Sequence, residues 1–248
     1  MNTLLLVVDF DGTVYRGDGP VRAYARRIAA TLPPAAAERY LALFERYLTE
    51  GVAAAEDVAD PVAAAALRAS VDHWGAAAAL AEDVFAASPD AVAAAFAGAR
   101  QDMLDPACEI EVVTPLLDTL AELRGAARVV LATNSPHPGL GPLLGRLGVA
   151  GAFDAVVADA GKPAGMRALL RRELGGYADV EPWRAFSLGD HYRNEIAPAV
   201  EIGAATGYID RFGRADGPAT ATAPVAERLL PVIHAWAADP ESTARPSG

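Results

Sequence analysis

The sequence predicts an α/β protein, a parallel sheet covered by helices, with an all-helical module inserted after the first strand. Three observations carry this. Leu4 to Val8 is a short continuous apolar run, as in a strand buried on both faces of a parallel sheet. Beyond residue 113, short apolar runs alternate with helical patterns, the mark of strand–helix–strand units. Between Val21 and Val112 lie only three of the chain's 22 glycines (Gly51, Gly75 and Gly98), whereas 31 of those 92 residues are alanine. Alanine is the best helix former and glycine among the worst, so this stretch reads as almost entirely helical.

Within the insertion, Tyr40, Leu41, Phe44, Tyr47 and Leu48 recur at three and four residues and define one helical face. Pro33-Pro34, Asp60-Pro61, Ser88-Pro89-Asp90 and Asp105-Pro106 punctuate it into four or five helices. After it, Pro115 to Arg124 reads as a helix and Arg128 to Ala132 as a strand. Leu140 to Leu147 is helical, Ala155 to Ala158 a strand, and Gly165 to Leu174 helical. Ala185 to Leu188 is a strand, Glu195 to Ile202 helical, Ala205 to Ile209 a strand, and Val225 to Ala237 a last helix. The expected organisation is a core of residues 1–19 and 113–238, a helical cap of 20–112, and a polar, loose tail of 239–248.

Composition narrows the function. The chain has 248 residues, 21 basic and 32 acidic, and a net charge of -11. Its pI is near 4.8. Nucleic acids and anionic membranes need basic faces, so neither is expected as a partner. No run approaches the roughly 20 apolar residues of a membrane span, and a soluble, cytoplasmic protein is expected. A single cysteine, Cys108, excludes an intramolecular disulfide and any multi-cysteine metal site. It reads as a small hydrophobe. Four histidines without paired ligand spacing do not make a zinc site.

In parallel sheets ligands bind beyond the carboxyl ends of the strands, and the chemistry-bearing residues gather there. Asp9-Phe10-Asp11-Gly12-Thr13 follows the first strand, and such an acidic pair can hold a hard cation through oxygen. Thr133-Asn134-Ser135 follows the second. Its hydroxyl and backbone N–H groups can hold a phosphate oxygen, although such residues also serve turns. Gly161-Lys162-Pro163 follows the third. Lys162 is the only lysine beside 20 arginines, and a compact ammonium suits a tight site where one point charge meets a carboxylate and a phosphate. Leu188-Gly189-Asp190 ends the fourth, followed by Arg193, Asn194 and Glu195. Asp190 is either a third acidic group of the site or the cap of the next helix.

With these residues in this order, the chain resembles the haloacid dehalogenase superfamily. Asp9-Phe-Asp11-Gly-Thr13 is similar to its first motif, Thr133 with Asn134 to the second, Lys162 to the third, and Gly189-Asp190 to the fourth. The likeness covers about Met1 to Gly19 and Val113 to Ile209. The insertion resembles the family's C1 cap, which would leave from the same sheet edge and could cover the site. One position departs: the fourth motif often ends in a second aspartate, here Glu195. The resemblance implies a Rossmann-like core and a phosphatase working through an aspartyl-phosphate on Asp9. Asp11 would be the acid and base. Mg²⁺ would be held by Asp9, Asp190 and the backbone carbonyl of Asp11. Thr133, the N–H of Asn134 and Lys162 would bind phosphoryl oxygens, and Glu195 would support Lys162 or a metal-bound water. Tyr15 and Arg16 are candidates for leaving-group contact.

Asp11 discriminates among the family's chemistries, since dehalogenases lack an aspartate there and cation pumps carry threonine. A phosphonate-cleaving cap needs a lysine for a Schiff base, and this cap has none. The expected partner is therefore a small phosphorylated metabolite. Two alternatives stay open: phosphoglucomutase-like transfer, and a non-catalytic binding protein on the same core. The cap arginines and the His73-Trp74 pair read as solvated ion-pair partners and helix packing respectively.

Overall fold

The structure is a computed structural model that describes residues 4–175 and 181–244. It divides into two compact units, one of residues 1–16 and 111–248, the other of residues 17–110.

The first unit is built on a six-stranded sheet in which every neighbouring pair is parallel. Its strands are β1 (Leu4–Val8), β4 (Ala127–Ala132), β5 (Ala155–Val157), β6 (Ala185–Gly189), β7 (Ala205–Ile209) and β8 (Ala221–Ala223). Their order is β5-β4-β1-β6-β7-β8. β1 is central because its side chains are apolar on both faces; Leu5, Leu6, Val7 and Val8 are all buried. Val8 pairs with Leu131 of β4 on one side and Leu188 of β6 on the other, so the three strands end level. The chain crosses to one side of β1 for β4 and to the other for β6. This switch in direction opens a crevice at the carboxyl end of β1.

Helices cover the sheet: α6 (Thr114–Glu122), α7 (Leu140–Arg146), α8 (Ala164–Glu173), α9 (Ala197–Val200), α10 (Leu230–Ala238) and α11 (Pro240–Ala244). Met166, Leu169 and Leu170 of α8 pack with Leu5, Val7 and Val130. Trp236 of α10 packs against Phe186 and donates its indole N–H to the carbonyl of Trp183 at 2.8 Å.

Three details differ from expectation. The helix expected from Glu195 to Ile202 is instead a π-helical turn, Tyr192–Ile196, followed by the short α9. The wide turn closes with the N–H of Ala197 donating to the carbonyl of Tyr192, five residues back. Two small pairings went unforeseen: β8, and a ribbon in which β2 (Tyr15–Arg16) pairs antiparallel with β3 (Glu111–Val112). Neither carries an apolar run like that of β5, so neither could be read from the sequence. Finally, Pro240–Ala244, expected in a loose tail, is helical, because Asp239 caps the turn from its side chain to the N–H of Ser242 at 3.2 Å. Residues 245–248 lie outside the described residues.

The second unit is helical, with α1 (Gly19–Ala29), α2 (Pro34–Glu50), α3 (Pro61–Ala69), α4 (His73–Ala79) and α5 (Pro89–Asp102). Two of the predicted breaks, Asp60 and Ser88, act as side-chain caps, and Asp72, which was not predicted, is a third. Asp60 accepts the N–H groups of Val62 and Ala63, Asp72 that of Gly75, and Ser88 that of Ala91. Tyr40, Phe44, Tyr47 and Leu48 are the buried face of α2, and each contributes about 1.5–3 kcal/mol by leaving water. The Tyr40 and Tyr47 hydroxyls donate to the carbonyls of Ala77 and Ser70 at 3.1 and 3.0 Å. Trp74 packs among Tyr24 and Phe96, as a helix-packing residue should. Arg22, Arg27, Arg39 and Arg46 pair with Glu45, Asp102, Asp60 and Glu50 at the surface. Among the described residues, no helix is long and apolar enough to cross a membrane.

Candidate active site

Asp9 is the first residue past β1. Its N–H donates to the carbonyl of Leu188 at 3.0 Å, which prolongs the β1–β6 pairing and fixes its backbone. Its carboxylate is buried and held at both oxygens. Lys162 Nζ stands 2.6 Å from Oδ1, and the Thr13 hydroxyl donates to Oδ2 at 3.3 Å.

An ammonium has three hydrogens, and Lys162 has three acceptors: Asp9 Oδ1 at 2.6 Å, Glu195 Oε1 at 2.7 Å and the carbonyl of Ala132 at 2.9 Å. The lone lysine is therefore first of all the partner of Asp9. Its loop is locked onto the one after β4. Asn134 accepts the N–H of Lys162 at its side-chain oxygen (2.8 Å) and donates back to the Lys162 carbonyl at 3.4 Å. This commits the Asn134 side chain to the Lys162 loop, and its backbone N–H is the group it can offer a ligand.

The two carboxylates and one ammonium of this group are buried together. Burial, with the charge of Asp11 behind it, raises the Asp9 carboxyl above the usual carboxylate range, although Lys162 pulls it down. Burial and the charge of Asp9 push Glu195 up to about 8 against the opposing pull of Lys162. Burial works against the Lys162 ammonium, but Asp9 and Glu195 outweigh it and raise its pKa. A group of two carboxylates with one cation carries excess negative charge in a dry place, and a second cation nearby would relieve it.

Asp11 is held differently. The Tyr15 hydroxyl donates to its Oδ1 and the Ser135 hydroxyl to its Oδ2, the latter at 2.7 Å. Thr133 Oγ1 lies 3.5 Å from Oδ2 and accepts the N–H of Ser135 at 3.0 Å. The loop bearing Ser135 is pinned by Asp159, whose N–H donates to the Ser135 carbonyl and whose carboxylate accepts the N–H of His137.

Asp190 ends β6. The π-helical turn after it is capped by the ring of His191, which accepts the N–H of Asn194 at 3.3 Å, so Asp190 is not that cap. Instead its carboxylate lies against Gly12. A Cβ at Gly12 would stand 2.0 Å from Asp190 Oδ2, and Gly12 also has a φ of +83°. Only glycine fits both conditions. Asp9 and Asp190 follow the neighbouring strands β1 and β6, and Asp190 lies against Gly12, so carboxylates and backbone oxygen, the donor type that suits Mg²⁺, stand at this edge. Among the described residues no group of three or more His, Cys, Asp or Glu side chains is arranged to hold a metal. A site of two carboxylates and a backbone carbonyl needs no third side chain where water fills the other positions.

Asp9, Asp11, Thr133, Asn134, Lys162, Asp190 and Glu195 thus all lie at one sheet edge. Arg16 does not join them: it is half-exposed and paired with Glu111 and Glu227. Neighbours on a strand face opposite ways, so with Tyr15 turned in toward Asp11, Arg16 is turned out. The hydroxyl of Ser135 and the attachment of Tyr15 to Asp11 are the site features that sequence reasoning missed. The four-residue spacing from Asp11 to Tyr15 and the polar run after β4 were their only signals.

Residues 3–199 match the family described as haloacid dehalogenase-like hydrolase. The chain belongs to this family. Several solved structures of haloacid dehalogenase-like hydrolases resemble it. A protein described as a predicted phosphoglycolate phosphatase, from Haemophilus somnus, is 15% identical with a TM-score of 0.61, over 94% of this chain and 99% of that one. A magnesium-bound protein described as the HAD-hydrolase YfnB, from Bacillus subtilis, is 16% identical with a TM-score of 0.58, over 94% and 99%. A 2-haloacid dehalogenase from Pseudomonas syringae is 17% identical with a TM-score of 0.52, again over 94% and 99%. At such identities the likeness speaks for the fold. Among curated proteins, none matches the chain.

Proposed function

We propose that this hydrolase is a Mg²⁺-dependent phosphatase that acts on a small phosphorylated metabolite through an aspartyl-phosphate on Asp9. The observation that carries the reading is Asp11, a carboxylate two residues after Asp9 with a hydroxyl on each oxygen. Halide leaves carbon without needing a proton, whereas an alkoxide leaving phosphorus needs one. An acid at this position has work in a phosphatase and none in a dehalogenase.

In the first step an oxygen of Asp9 attacks phosphorus in line. The bond to the leaving oxygen breaks, and Asp11 delivers its proton to that oxygen. Lys162 holds the other Asp9 oxygen and so orients the nucleophile. Thr133 and the N–H of Asn134 receive the phosphoryl oxygens. In the second step Asp11 takes a proton from water, the water oxygen attacks phosphorus, and the Asp9–phosphorus bond breaks to release phosphate. Held by Asp9, Asp190 and the Asp11 carbonyl, Mg²⁺ would supply charge that offsets the repulsion between carboxylate and phosphate.

The test is phosphate release from a panel of phosphorylated sugars, nucleotides and small acids, with Mg²⁺ and with EDTA, and Asp9→Asn as the blank. Release that needs Mg²⁺ and vanishes in the variant is the expected result. No release from any compound, with halide release from a 2-haloacid instead, would overturn the reading.

A further inference from the structure

The mechanism above leaves the buried Tyr15 hydroxyl without a task. Tyr15 is 3% exposed, yet its hydroxyl reaches the half-buried Asp11. We infer that Tyr15 and Ser135 are positioning residues that aim the Asp11 carboxyl at the leaving-group oxygen. This inference rests on the phosphatase reading.

Each half of the clamp is itself held. Tyr15 pairs with Val112 in the β2–β3 ribbon, and its ring meets Phe10 edge-on, with centroids 5.0 Å apart. Ser135 is buried. It is fixed through its N–H to Thr133 Oγ1 at 3.0 Å and through its carbonyl, which accepts the N–H of Asp159 at 3.0 Å. The two hydroxyls arrive from different loops and take different oxygens of Asp11. A carboxyl held at one oxygen still swings about its side-chain torsions; held at both, it has one orientation.

Each oxygen has two lone pairs, so the clamp leaves room for a contact to substrate. Proton transfer depends on this geometry, because the donor must meet the leaving oxygen as its bond to phosphorus breaks. Fixing the carboxyl beforehand removes that ordering from the barrier. It also explains why a tyrosine hydroxyl is buried at the end of a two-residue strand.

The experiment compares two esters whose leaving groups differ in their need for a proton. One is the alkyl phosphate that the wild type hydrolyses fastest in the panel above. The other is 2,4-dinitrophenyl phosphate, whose phenolate departs unprotonated. Both are measured as kcat/KM, which reports the first chemical step. Tyr15→Phe keeps the ring packed on Phe10 and removes only the hydroxyl. Its alkyl rate should fall about ten- to a hundred-fold. Its dinitrophenyl rate should fall far less, so the ratio of the two shifts. Ser135→Ala should shift the ratio in the same direction, and melting curves confirm that each variant is folded.

An equal fall on both esters would mean a merely structural role and would overturn the inference. So would an unchanged alkyl rate, or a rise, which would make the clamp a restraint rather than an aim. A wild type active on only the dinitrophenyl ester also overturns it, since no acid is then at work. A wild type that releases phosphate from neither ester brings down the phosphatase reading itself.

Discussion

Lys162 Nζ stands 2.7 Å from Glu195 Oε1, and the two side chains are only 2% and 4% exposed. The other Glu195 oxygen accepts the N–H of His191 at 2.7 Å. Glu195 is thus a strut between the start of the π-helical turn and the ammonium that holds Asp9. The extra methylene relative to aspartate is taken up here. Gly189 makes room for it, since a Cβ there would stand 2.5 Å from Glu195 Cγ.

Replacing Glu195 by Gln tests the strut. An amide has one oxygen for two donors, and its NH₂ would face either Lys162 or the His191 N–H. One buried donor is left unmet, at a cost of about 1–3 kcal/mol. The urea midpoint should fall accordingly. An unchanged midpoint would show that the contact adds nothing to stability.

Replacing Lys162 by Arg keeps the charge and loses the shape. Three acceptors within 2.6–2.9 Å surround a single nitrogen, and a planar guanidinium cannot bring three N–H groups to one point. Turnover of the best substrate should fall about 10²- to 10³-fold in a folded protein. A near-normal rate would mean that Asp9 does not need a point charge beside it.

Gly12→Ala tests the proposed metal set without replacing any of its ligands. The new methyl meets Asp190 Oδ2 at 2.0 Å and forces a side chain into positive φ. The backbone cost is about 1–2 kcal/mol. Displacement of Asp190 should raise the Mg²⁺ concentration for half-maximal activity roughly ten- to a hundred-fold. A Mg²⁺ titration that superimposes on the wild type would remove Asp190 from the metal set.

The helical unit predicts an alkaline transition. Burial, reinforced by Glu82 and Asp72, raises Tyr24 from 10.0 to about 12. A group whose folded pKa is raised stabilises fully below its unfolded value and loses that contribution as pH rises through the folded one. Stability should therefore decline from pH 10 through 12, with tyrosinate absorbance appearing alongside unfolding. Tyr24→Phe should make the decline shallower. An identical pH profile would show that Tyr24 does not contribute to it.

Much of this was legible in one dimension. Leu4 to Val8 could only be a strand buried on both faces, and the proline-marked caps of α2, α3 and α5 fall where the sequence places them. The site residues were legible because a parallel sheet brings the carboxyl ends of its strands to one edge. Asp9, Thr133, Lys162 and Asp190 therefore become neighbours from their positions after strands alone. The π-helical turn at Tyr192–Ile196 was not legible, since a single extra residue in a turn leaves no periodicity behind. Arg16 misled because a charge beside a motif looks like a ligand contact until its strand shows which way it faces.

Sequence by itself determined the parallel sheet, the helical insertion and the residue types at the strand ends, because apolar period and residue type are local properties. Only the tertiary structure decided how those groups are shared out. Lys162 goes to Asp9, Glu195 and Ala132; Tyr15 and Ser135 go to Asp11; Asp190 goes to Gly12. These partners lie far apart in sequence or face each other through turns. Which hydrogen meets which oxygen is set by the level ends of β4, β1 and β6 and by the direction each side chain leaves its backbone.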